Sequence, residues 1–304
     1  MHLLLWLFLI SVGGCLLLAL LLHTLPKLGS LGKAISAKCC EAPGLDVVVF
    51  CFTSVPQIAG IVLGAMQGGI FLRDGSIGIR LGAEQTTAAS WLGALIGLIV
   101  GTLAQLFSLW AWCRVHELVH HKVMQRPRIK GSLAKILSRD GKGGFAASWR
   151  NYLGVWWTLW AVPIFTFVRI GELCVYPIVS RLVRLPRYRE SDWVRVSRQK
   201  FDGLVGADLI WCLYCDWMTG VWSLGSEMLR NIESFWCPIR FASAEKCANC
   251  TTDFPDIDID WVRADGKIED VTSLIEKKYP GPKGSIGGEN SWSGHPVRLT
   301  VRGK

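Results

Sequence analysis

Three long apolar runs constrain this chain more than any other feature. They cover Leu3 to Leu22, Val47 to Leu72 and Ala88 to Cys113. Each reaches the length of about 20 residues that a helix needs to cross the hydrocarbon core of a bilayer. Helices and closed barrels alone satisfy their backbone groups in lipid, and apolar runs this long read as helices. Composition agrees. Of the 304 residues 51% are hydrophobic and only 19% charged, where soluble domains carry about a quarter. Many of the 15 Trp stand at the ends of apolar runs, where amphipathic rings settle in a membrane. The first run lacks the basic start of a signal peptide and exceeds the usual apolar core of one. Val12 to Cys15 loosely matches a lipoprotein box, but apolar helix continues past Cys15, so an uncleaved span is expected.

Charge sets the orientation. Arg114, Lys122, Arg126, Arg128, Lys130, Lys135, Arg139, Lys142 and Arg150 follow the third run, opposed only by Glu117 and Asp140. The positive-inside rule places this basic loop, residues 114–150, in the cytoplasm. Counting back puts Lys27, Lys33 and Lys38 inside and the N-terminus outside. The expectation is an integral protein of a bacterial inner membrane with its C-terminal domain in the cytoplasm. The net charge of +9 is explained by these flanks. No nucleic-acid-binding motif accompanies it, so no nucleic-acid partner is expected.

Residues 151–180 are apolar and Trp-rich, with Pro163 inside and a second basic cluster behind. A full crossing would put that cluster outside, so the reading is an interfacial or re-entrant hairpin. Residues 181–279 read as a small Cys-containing cytoplasmic α+β domain. Leu204 to Leu229 is apolar but carries Asp208, Asp216 and Glu227, which argues for a helix outside the lipid. Phe254 to Trp261 alternates as a strand does, and Asp270 to Lys278 reads as a short helix. The tail 280–304, rich in Gly, Pro and Ser, reads as irregular. The fold class is therefore an all-α membrane bundle of residues 1–113 plus these elements.

The second and third runs share one device. Gly60, Gly64 and Gly68 lie four apart, as do Gly93, Gly97 and Gly101. Such spacing makes a smooth groove on one helix face where two backbones approach closely. The grooves predict that the two helices pack together, or that they receive a membrane partner or a second copy of the chain.

Two constellations can carry chemistry. The first is "RVHELVHHK", Arg114 to Lys122. On a helix His116 and His120 project from one face. They can ligate zinc while Glu117 polarises a bound water, and His121 offers a further ligand. Three readings stand: a polar helix end meeting lipid phosphates, a metal site without peptidase chemistry, and a zinc peptidase with Glu117 as base. The HELVHHK string resembles the active-site helix of membrane-bound zinc peptidases, the antibiotic-sensor and CAAX-processing types among them. That resemblance spans about eight residues and implies a third ligand, usually a Glu of a downstream ExxxD. Glu172 is followed by Tyr176 and Glu227 by Asn231 where Asp would stand, and Arg114 replaces an uncharged residue. Desaturase-type His boxes need several copies. His2, His23 and His295 are the other histidines, and none forms a box.

The second constellation is cysteine. Cys212-x-x-Cys215 and Cys247-x-x-Cys250, with Cys237 between, offer enough thiolates for tetrahedral zinc, or for an iron centre with the same ligands. Against that, Cys212 and Cys215 lie in an apolar stretch, where Cys acts as a small hydrophobe. A membrane metalloprotein, with a zinc peptidase as its sharpest form, is one expectation. A non-catalytic subunit or assembly factor with a structural Cys site is the other.

Overall fold

The computed structural model describes residues 2–73, 83–120, 133, 135–158, 161–182, 185, 188–236 and 265–278. The fold is mostly helical: α1 (His2–Thr24), α2 (Gly29–Cys39), α3 (Gly44–Thr53), α4 (Val55–Arg73), α5 (Ala83–Val119), α6 (Phe145–Trp157), α7 (Ala161–Cys174), α8 (Tyr176–Leu182), α9 (Ala207–Trp236) and α10 (Ile268–Lys278). There is no strand among the described residues. The segment 254–261, on which the α+β expectation rested, lies outside them, as do residues 280–304. The helix expected at Asp270 to Lys278 is α10.

Three helical stretches are long and apolar enough to cross a membrane: Leu4–Lys27, Ala89–Val119 and Phe145–Leu182. Their outer faces carry Leu5, Trp6, Ile10, Trp91 and Leu118 in the open. A water-soluble surface does not carry that much exposed apolar area. The chain is an integral membrane protein. Two of the three stretches match the first and third apolar runs. Phe145–Leu182, which covers the segment read from sequence as interfacial, meets the same length and hydropathy test.

The second apolar run departs from a single span. Gly44–Thr53 and Val55–Gln67 meet at 43° across Ser54. Pro56 explains the break. It has no N–H to continue the ladder, its ring crowds the carbonyl one turn earlier, and it disfavours helix in the residue before it.

The chain forms two compact units: residues 1–162 with 194–218, and residues 163–193 with 219–304. In the first unit α4 and α5 run antiparallel with their glycines facing. A methyl group built on Gly60 would strike the Gly97 carbonyl. One on Gly64 would strike that of Gly93, and one on Gly101 that of Pro56. Gly68 lies further along α4. The Gln57 amide donates to the Gln105 carboxamide oxygen beside this seam. Further on, Ala42 N–H donates to the Val194 carbonyl (2.9 Å) and Val196 N–H to that of Cys40 (2.8 Å). These bonds pin residues 194–196 to the corner between α2 and α3. Asp216 on α9 accepts the Ser197 and Arg198 amides at 3.1 and 3.3 Å. The start of the loop leading into α9 is thereby held on two sides.

In the second unit Arg169 of α7 is buried and pairs with Glu172 (2.7 Å) and Glu190. Arg230 of α9 pairs with the fully buried Glu227 (2.7 Å). Glu172 and Glu227 thus each face an arginine inside this unit.

Candidate metal centre

The site is built where two spans end on the same side. His23 closes α1, and His116 and His120 stand one turn apart near the end of α5. Ring centroids lie 4.5 Å apart for His116 and His120, 5.2 Å for His23 and His116, and 5.4 Å for His23 and His120. One ring nitrogen from each falls within 4.8 Å of the other two. Three imidazole nitrogens held tetrahedrally by zinc at about 2.0–2.1 Å stand about 3.3 Å from one another. Trp112 packs edge-on against His23 at 5.7 Å.

Hydrogen bonding distinguishes His120 from His116. Nε2 of His120 is buried and has no hydrogen-bond partner. A buried polar atom in that state costs roughly 1–3 kcal/mol, and a metal ion would remove the cost. His116 Nδ1 accepts the Gly206 amide at 3.0 Å. The proton of the neutral ring then sits on Nε2, so ligation by His116 exchanges this bond for a metal bond. Gly206 has φ +58°, a left-handed conformation that glycine adopts without strain. A Cβ there would also collide with the Glu117 side chain and the Cys113 carbonyl.

Glu117 is buried, and Arg114 Nη1 lies 3.2 Å from its Oε2. The Arg that departs from the peptidase pattern therefore engages the carboxylate that a peptidase would use as base.

The remaining sequence-derived candidates fall elsewhere. His121, Cys237, Cys247 and Cys250 lie outside the described residues. Cys212 and Cys215 occupy one face of α9 as free thiols. Burial, and to a lesser degree Cys212, raises the Cys215 thiol above its ordinary value. Neither joins a group of three metal-ligating side chains among the described residues, whereas the histidines do.

Sequence reasoning missed His23. It sought the third ligand downstream, within the peptidase pattern, and considered His23 only as a possible His box. A signal was present. Under the orientation read from charge, spans one and three end on the same face, and each ends in histidine.

A cavity of about 1220 Å³ adjoins the cluster. Along α5 it is lined by Gln105, Leu109, Trp112, Cys113, His116 and His120, and along α1 by Ala19, Leu22 and His23. The α9-proximal loop supplies Gln199, Lys200 and Asp202, and α3 supplies Val48, Val49 and Phe52. No family model matches the chain, and no curated protein or solved structure is detectably similar to it.

Proposed function

We propose that the chain is a membrane metalloprotein whose centre is His23, His116 and His120, with zinc as the fitting ion. The observation that carries this is the convergence of three imidazoles from two distant segments, with one of their nitrogens buried and unpartnered. Three neutral nitrogen ligands suit zinc and leave a fourth position for water or a ligand, the pattern of catalytic rather than structural zinc. The basic residues after Cys113 support a cytoplasmic position for this end of the bundle in a bacterial inner membrane, with the N-terminus outside.

Within this reading Glu117 decides between an enzyme and a binding protein. A peptidase needs its carboxylate free to take a proton from water, and its pairing with Arg114 favours a binding or assembly role.

Metal analysis of the purified full-length protein tests the centre. About one zinc per chain is expected, with loss in His23→Ala and His120→Ala and retention in Glu117→Gln and Cys212→Ser. Zinc that survives both histidine changes would overturn the proposal. A peptidase would further require cleavage abolished by Glu117→Gln.

A further inference from the structure

We infer that the cavity beside the histidines holds a bilayer lipid, with its acyl chain against α1, α3 and α5 and its oxygen-bearing head toward the metal centre. The head-end assignment rests on the proposed metal site, while occupancy by the chain rests on the walls alone.

The walls change character along the helix axes. From Gln105 to His120 the cavity follows α5 for about 22 Å of rise. One leaflet of a bilayer contributes about 15 Å of hydrocarbon, which leaves length for a head group. The span-side end is formed by Ala19, Leu22, Val48, Val49, Phe52 and Leu109. Two polar groups of that end bond internally. Thr53 Oγ1 donates to the Val49 carbonyl (2.7 Å), and the Gln105 side-chain oxygen receives the Gln57 amide. A polypeptide in that end would bring many amides and carbonyls against mostly apolar walls, at several kcal/mol for each group left unpaired away from water. A saturated or unsaturated hydrocarbon chain brings none. The opposite end carries His23, His116, His120, Arg114 and Lys200 beside the carboxylates of Glu117 and Asp202. Lys200, and a metal ion on the histidines, would supply the positive charge that meets the ester and phosphate oxygens of a lipid head.

The test uses full-length protein in phosphatidylcholine vesicles containing a little phosphatidylcholine with a diazirine in mid-chain. After irradiation, labelled residues are mapped by mass spectrometry, and zinc is measured on the same sample. Val48, Val49 and Phe52 line the cavity, whereas Val47 and Phe50 of the same helix are exposed on its other faces. Labelling is expected on both sets. In Leu109→Trp, whose larger ring intrudes on the span-side end, labelling of the first set falls while that of Val47 and Phe50 holds. Labels confined to Val47 and Phe50 in the wild type, or undiminished cavity labels in the variant, overturn the inference. Zinc retained without cavity labelling sinks the lipid and leaves the metal centre standing. Cavity labelling without zinc does the reverse. A free diazirine fatty acid in a parallel sample that labels the same positions identifies a single acyl chain as sufficient.

Discussion

Helix α5 takes part in two kinds of contact, and they contrast. Along its first half Gly93, Gly97 and Gly101 meet α4 backbone to backbone, with no space left over. At its end His116 and His120 meet His23 of α1 across a gap, beside a cavity. The seam closes backbone on backbone within the chain, with Gln57 Oε1 and Gln67 Oε1 of α4 also buried and unpartnered. The histidine end carries a buried ring nitrogen without a partner. Close backbone contact makes the seam a structural joint. Three converging imidazoles beside a cavity, one with a buried unpartnered nitrogen, point instead to a ligand.

The contrast breaks most visibly at the seam. Gly97→Leu places a side chain where the Gly60 carbonyl stands, and a loss of about 3 kcal/mol is expected, read as a lowered unfolding midpoint in detergent. Gly13→Leu is the control. Nothing lies within 4 Å of its Cβ direction, and a change within about 0.5 kcal/mol is expected. Equal effects at the two positions would deny the seam its role.

A smaller effect is expected beside the histidines. Gly206→Ala must hold a left-handed backbone and displace Glu117. Thermal unfolding should report a loss of about 1–2 kcal/mol. An unchanged midpoint would show that Gly206 does not sit against Glu117. Smaller still is the consequence of ligation at His116. Zinc takes the lone pair that now receives the Gly206 amide, so hydrogen exchange at Gly206 should quicken on zinc loading. Slower exchange would contradict the lone-pair competition.

Much of the fold was legible because lipid imposes simple rules. Two of the three candidate crossings follow from run length, and the α4–α5 seam from glycines four apart. The bend at Ser54 escaped because hydropathy averages over Pro56, although Pro56 itself announces it. The site was half legible. His116 and His120 sit one helical turn apart, so their joint action is written in local spacing. His23 lies far away in sequence and reaches them only through the packing of α1 on α5, which no local pattern encodes. The engagement of Glu117 by Arg114 was foreshadowed by Arg114 itself, a charge where peptidases have none.

The most direct test of the histidine centre is X-ray absorption at the zinc edge of purified, zinc-loaded full-length protein. Three histidine ligands predict a first shell of light scatterers, nitrogen with oxygen, at about 2.0–2.1 Å, with outer-shell features from imidazole rings. A dominant sulfur shell at about 2.3 Å would place the metal on cysteines and contradict the account.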